Sequence, residues 1–350
     1  KADCGPAVGS GQAGLHPCSP FRKISRPFKI CYYYIMDGIP VVGLFFKGRV
    51  MAAAKTTKIL ILGGGGTLGH KFWQVLPEKF PDAFVSIRKG REFYARCGLF
   101  TGPNVIDRLD LKDFARINAV LDEIRPTVVV NCAGVTLRSK EAVDKNSAIS
   151  INALLPHRLA AWCSGNGARL IHFSTVCVFD GKTGGYTEDS LPDARDLYGV
   201  TKALGDVSAP FALTLRSSFI GREISGGAEL LEWFLAQKGK KIKGFTRAMF
   251  TGLTTNKLAE LVADIIENHP ALNGLYHVAS ETVSKYDLLK LMKEAYKLDV
   301  EIEPEDEFEC RRDLNGAKFV KATGFACPPW KELLREMAAD PAPYNLWRRL

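Results

Sequence analysis

At 350 residues the chain can form one large or two medium domains, and its 46% apolar and 24% charged residues suit a globular protein, not a disordered or fibrous one. The formal charge of +9 is unevenly spread: residues 1–50 hold seven cations against two acids, so the remaining three hundred carry only +4. That excess is too mild to argue for a nucleic-acid partner, though it suits an anionic ligand. Nine cysteines without a C-x-x-C pair indicate neither a zinc knuckle nor a disulfide framework. Cys132, Cys163 and Cys177 lie in apolar runs, as expected in a reducing, cytoplasmic setting. No run reaches the ~18 apolar residues of a membrane span. The nearest, from Ile30 to Phe46, is broken by Asp37, Gly38 and Pro40.

Residues 1–50 are rich in Gly, Pro, Ser and Cys, lack clear periodicity and read as an extension outside the fold, with a basic transit peptide as the alternative. A regular pattern begins at Lys58. The apolar run 58–62 predicts a first strand, ended by Gly63-Gly64-Gly65-Gly66-Thr67-Leu68-Gly69 and followed by a helix over 68–78. Strands are predicted over 84–87, 104–107 and 127–131, with an amphipathic helix over 111–124 closed by Pro126. A long helix over 140–164 leads to a buried strand over 169–173, and a sixth strand is predicted over 211–215. This alternation predicts an α/β, Rossmann-type doubly wound parallel sheet over residues 51–221. Past Gly221 it loosens, with helices over 230–237, 256–268, 285–297 and 330–338 and a strand over 275–278. These make a smaller C-terminal α/β substrate lobe over 222–339, some segments returning to the sheet. Residues 340–350, broken by proline, are expected to be a loose tail.

The glycine run fits two registers, Gly64-Gly66-Gly69 as G-x-G-x-x-G and Gly63-Gly66-Gly69 as G-x-x-G-x-x-G. Either lets a pyrophosphate approach bare backbone, and the helix opening at Thr67 and Leu68 offers free N–H groups and positive partial charge. The context of strand, glycines and helix points to a dinucleotide. At the end of the second strand stand Ser86-Ile87-Arg88-Lys89, with none of the acid that would hold an unmodified ribose. Arg88 and Lys89 can bind a 2′-phosphate, which favours NADPH and leaves NADH open.

Ser174 and Thr175 end the central strand, and Tyr198 and Lys202 follow four positions apart, on one face of a helix. Hydroxyls, a phenol and an ammonium at a strand end can pass a proton to a carbonyl oxygen. A nearby ammonium is expected to lower the phenol pKa from its ordinary value near 10. A second Y-x-x-x-K, Tyr286 to Lys290, has no hydroxyl-bearing strand before it and is assigned to packing and surface.

From Lys58 to Trp330 the chain resembles the extended short-chain dehydrogenase/reductase superfamily, and within it the dTDP-4-dehydrorhamnose reductases. The glycine run, 130–134, Ser174-Thr175…Val178-Phe179-Asp180-Gly181, Tyr186…Glu188-Asp189, Tyr198…Lys202 and 215–217 carry the resemblance. It implies that Thr175 holds the substrate carbonyl, Tyr198 donates the proton, and Lys202 tunes Tyr198 and binds the nicotinamide ribose. It puts Asp110 and Leu111 near the adenine, with Asn131, Ala133 and Gly134 lining the cofactor beside Gly63, Gly66, Thr67, Leu68 and Gly69. Substrate contacts fall to Ser174, Cys177, Arg216 and Arg311, with Arg312 and Lys318 as further candidates and Trp330 as a base-stacking one. The implied partner is a small nucleotide-sugar, with a homodimer possible, no nucleic acid and no membrane; no metal site is assigned. The reductases usually read Ser-Thr-Asp-Tyr-Val-Phe where this chain has Val176 and Cys177. The expected activity is NADPH-dependent reduction of a 4-keto-6-deoxy sugar nucleotide. Alternatives are an epimerase or dehydratase of the same superfamily, or a non-catalytic dinucleotide-bound regulatory subunit.

Overall fold

The structure, a computed structural model, describes residues 29–34, 40–45, 56–136 and 144–347. Residues Lys1–Lys55 are a unit of their own, where β1 (Lys29–Tyr34) pairs antiparallel with β2 (Pro40–Phe45), Lys29 opposite Phe45. Sequence periodicity missed this hairpin, built from the β-branched and aromatic residues of the apolar run.

In the second unit, Thr56–Leu350, strands and helices alternate as expected. The order is β3 (Ile59–Leu62), α1 (Gly69–Lys79), β4 (Ala83–Ser86), β5 (Val105–Ile106), α2 (Phe114–Ile124) and β6 (Val128–Asn131). There follow α3 (Lys145–Ala148), α4 (Leu155–Asn166), β7 (Arg169–Thr175), α5 (Leu197–Leu204) and β8 (Ala212–Ser217). The expected helix over 140–164 is interrupted by a π-helical segment, Ile149–Leu154, and residues 140–143 lie outside those described. The chain continues through β9 (Phe219–Ile220), α6 (Leu230–Leu235), β10 (Lys241–Phe250), β11 (Leu253–Thr254), α7 (Thr255–Asn268) and β12 (Gly274–His277). It ends with β13 (Val283–Ser284), α8 (Lys285–Tyr296), β14 (Glu301–Arg311), α9 (Ala317–Thr323), α10 (Trp330–Ala338) and α11 (Tyr344–Trp347).

Seven strands form one parallel sheet in the order β12-β8-β7-β6-β3-β4-β5. Residues of β3 alternate between two cores. Ile59 and Ile61 pack with Phe72 and Leu76 of α1 and Val262 of α7, whereas Leu60 and Leu62 pack with Leu121 of α2 and Leu159 of α4. Helices on both faces explain why β3 and β6 read as unbroken apolar runs. The chain leaves β3 for β4 on one side and returns to β6 on the other, so a crevice opens at their carboxyl ends, where ligands bind in such sheets.

The smaller lobe centres on β10, which pairs parallel with β14 and antiparallel with β13, against a core of α6, α8 and α10. Neither β10 nor β14 is predicted from sequence. Strand β14 is mostly exposed and acid-rich; its ladder to β10 and the Lys241–Glu303 and Arg247–Glu309 ion pairs fix it, not an apolar stripe. The expected loose tail is corrected: Tyr344 and Trp347 of α11 are buried in the core that holds α1. Among the described residues no helix is long and apolar enough to cross a membrane.

Candidate active site

The glycine loop leaves β3 through Gly63, whose φ of +87° suits glycine. A Cβ on Gly69 would fall 2.2 Å from the Gly63 carbonyl oxygen, so only glycine lets α1 start this close to the strand. Gly66 N–H donates to the same oxygen at 3.1 Å. The operative spacing is therefore Gly63-Gly66-Gly69, while Gly64 lies against Val85. A cavity of about 320 Å³ opens over the loop, lined by Gly63 and Gly66, by Arg88 and Lys89 after β4, and by Asp110, Leu111, Ala133 and Gly134. It carries two cations at its outer end. Thr67, Leu68 and Lys202 line the adjoining cavity instead, and two sequence candidates, Gly69 and Asn131, line neither. Gly69 serves the helix–strand contact, and Asn131 is fully buried, its Oδ1 accepting from Ala133 N–H at 3.1 Å and its Nδ2 meeting His172 Nδ1 at 3.1 Å. Asn131 thus shapes the 133–134 turn instead of touching a ligand.

A second cavity, about 250 Å³, shares Gly65, Gly66, Ala133 and Gly134 with the first and extends past Thr67 and Leu68 to Ser174, Tyr198 and Lys202. Thr175 closes β7, with its Oγ1 accepting from Cys177 N–H at 3.1 Å. Asp196 caps α5 by accepting from Gly199 N–H at 2.9 Å. Tyr198 is half-buried, lines the cavity and hydrogen-bonds Thr175. Lys202 is 4% exposed and donates through Nζ to Phe173 carbonyl oxygen at 2.7 Å; burial pushes its pKa down to about 8.

The phenol departs from expectation. Burial pushes the Tyr198 pKa up, the charges of Cys177, Glu229 and Asp196 add to this, and the Thr175 hydrogen bond opposes it. Lys202 turns its ammonium to the Phe173 carbonyl oxygen. The phenol keeps its proton, the form a proton donor needs. Ser174 Oγ is buried at the cavity wall with no hydrogen-bond partner among the described residues.

A third cavity, about 570 Å³ and the largest of the three, lies between the β7 end and the smaller lobe. Val176 and Cys177 form one wall; Trp233, Phe245, Phe250 and Phe308 form an aromatic one; Lys243, Lys285 and Arg312 bring positive charge. Arg312 Nη1 lies 3.6 Å from Cys177 Sγ. Two substrate candidates are corrected. Arg216 is 4% exposed and held by Asp206, at 2.8 Å from Nε and 2.7 Å from Nη2, beneath Phe179. Arg311 is an exposed strand residue whose neighbour Arg312 faces the cavity, because successive strand side chains alternate. Trp330 is buried in the lobe core and donates to Glu281 carbonyl oxygen, and Lys318 bonds Leu275 carbonyl oxygen outside the cavity. The second Y-x-x-x-K sits on α8, where Lys290 lies over the Tyr286 ring.

Sequence reasoning missed Asn152, in the π-helical segment. Its Nδ2 donates to Val135 carbonyl oxygen at 3.0 Å and Thr201 Oγ1 at 3.2 Å, tying the turn after β6 to α5. An amide inside a helical run gave no positional signal. Glu223 and Ser225, on the loop after β9, also line the Tyr198 cavity.

Residues 57–342 match the family described as RmlD substrate binding domain. The chain belongs to that family. It thereby falls in the extended short-chain dehydrogenase/reductase superfamily, among whose members similar to this chain are NAD(P)-dependent sugar-nucleotide reductases. A probable low-salt glycan biosynthesis reductase of Haloferax volcanii is 29% identical over 232 residues, 63% of this chain and 74% of that protein. The methionine adenosyltransferase 2 subunit beta of Xenopus tropicalis is 25% identical over 262 residues, 69% of this chain and 72% of that one. The solved dTDP-4-dehydrorhamnose reductase of Bacillus anthracis, in complex with NADP, has a TM-score of 0.65 at 20% identity, covering 81% of this chain and 98% of its own. That is a likeness of fold.

Proposed function

We propose that the chain reduces the carbonyl of a 4-keto-6-deoxy sugar nucleotide with NADPH, in a cytoplasmic setting. The observation that carries this reading is Tyr198, protonated and hydrogen-bonded to Thr175, in a cavity continuous with the glycine loop. A dinucleotide fits the residues present: bare backbone at Gly65 and Gly66, cations at Arg88 and Lys89, and an unpartnered Ser174 hydroxyl. When bound, it supplies the hydride that goes to the carbonyl carbon. Tyr198 gives the proton to the carbonyl oxygen, Thr175 holds that oxygen, and Lys202 holds the β7 end and the ribose. Arg88 and Lys89 favour a 2′-phosphate. The aromatic wall and cations of the largest cavity accept the base and diphosphate of the substrate. As a test, Tyr198→Phe is expected to lower kcat by ~10²–10⁴-fold with NADPH affinity kept; unchanged turnover would refute the assignment.

The relation to methionine adenosyltransferase 2 subunit beta favours a second reading, a dinucleotide-bound regulatory subunit. A stoichiometric enzyme partner in pull-downs, with no turnover on dTDP-, UDP- or GDP-keto sugars, would favour it over the reductase.

A further inference from the structure

The stretch after α10, distant in sequence from the site, reaches the glycine loop. His70, in the first turn of α1, has Nδ1 2.8 Å from Gly66 carbonyl oxygen and Nε2 3.0 Å from Tyr344 hydroxyl. A carbonyl only accepts, so Nδ1 carries the proton, and Nε2 of the neutral ring accepts from Tyr344, whose single hydroxyl proton is shared between this nitrogen at 3.0 Å and the more distant Gln74 Oε1 at 3.3 Å. Burial holds the His70 pKa down at about 4, which keeps the ring in this form. Gly66 carbonyl oxygen also accepts from His70 backbone N–H at 3.1 Å. Two donors on one side fix that carbonyl. Across the planar trans peptide, Thr67 N–H points away from that carbonyl, and Gly66 and Thr67 both line the Tyr198 cavity.

Tyr344 is itself held. Asp340 ion-pairs with buried Lys71 and accepts from Asn256 Nδ2 at 2.9 Å, Arg222 Nη2 donates to Asn345 Oδ1 at 2.8 Å, and the Arg222 guanidinium lies 4.9 Å from the Tyr344 ring centre. We propose that His70 and Tyr344 are positioning residues for the dinucleotide. Tyr344 O–H holds His70, His70 holds the Gly66 carbonyl, and the Thr67 N–H is thereby aimed at the pyrophosphate. This rests on reading the glycine loop as a dinucleotide site.

The test measures NADPH and 2′-AMP affinities on the full chain, because 2′-AMP has no pyrophosphate. Tyr344→Phe keeps the ring but loses the hydroxyl, and His70→Asn keeps a donor near Gly66 that is too short to reach Tyr344. Each is expected to weaken NADPH about five- to tenfold, the worth of one hydrogen bond, with 2′-AMP within about twofold. The double variant should bind no more weakly than His70→Asn alone. NADPH affinity unchanged in Tyr344→Phe, or both ligands weakened alike as general unfolding would do, overturns the relay alone. A wild-type chain that binds neither ligand overturns the dinucleotide reading and the relay with it.

Discussion

The dinucleotide end of the crevice is made mostly by residues within a few positions of the ends of β3, β4, β5 and β6, whereas the largest cavity joins Cys177 to Arg312, 135 residues apart. At the first end, bare backbone meets the ligand, and the strand order of a doubly wound sheet brings the pieces together. At the second, side chains of two lobes do the work, and the β10–β14 ladder decides which of them face inward. That ladder slips between Phe245 and Arg247. Alternation counted from either strand end is thrown out of phase there. A site of the first kind is sensitive to single atoms added to the backbone; one of the second kind tolerates side-chain changes at graded cost.

The largest effect that tests this contrast is expected from Gly69→Ala. Its methyl would meet Gly63 backbone at 2.2 Å, which no side-chain rotation relieves. We expect a loss of about 1–3 kcal/mol in stability, read from denaturant unfolding, together with lost NADPH binding. Gly165→Ala is the control, since a Cβ there meets nothing within 4 Å in helix α4; it should stabilise by about 0.5–1 kcal/mol. Equal behaviour of the two variants would mean that the loop is not tightly constrained.

The same contrast explains what could be read beforehand. Strand β3 announces itself because burial on both faces leaves no polar residue in it, β6 reads as apolar up to Asn131 and β7 through Leu170, Ile171 and Phe173, and the residues after each are short-range companions. Arg216 misled because its strand position is right but its charge is taken by Asp206, ten residues earlier in a loop. Strand β14 was invisible because Glu303 and Glu309 are satisfied by cations on β10, a pairing that periodicity does not encode. Asp340 and Tyr344 were invisible for a related reason. Proline spacing suggested disorder, while Lys71 and His70, some 270 residues earlier, held the segment.

Next in size is the cation pair. Arg88 and Lys89 line the outer end of the dinucleotide cavity, and both are exposed. Replacing both with Ala should lower the NADPH-over-NADH preference by about tenfold, with the effect shrinking as salt rises because exposed charges are screened. Titrations with each dinucleotide at two ionic strengths check this. A preference that survives the double change would assign discrimination to the backbone, as elsewhere at this end.

The smallest effect belongs to Cys177, which faces the largest cavity and also stands among the groups acting on Tyr198. Its Sγ takes one N–H of Arg312, whose Nε is buried without a partner among the described residues. Cys177→Ala removes this weak contact and leaves Arg312 less well oriented, so KM for the sugar nucleotide should rise about twofold with kcat unchanged. Cys177→Ser, which can still accept from Arg312, should stay near the wild-type value. If kcat fell instead, with KM unmoved, Cys177 would belong to the reacting centre. The two ends of the crevice would then meet at one side chain instead of being built apart.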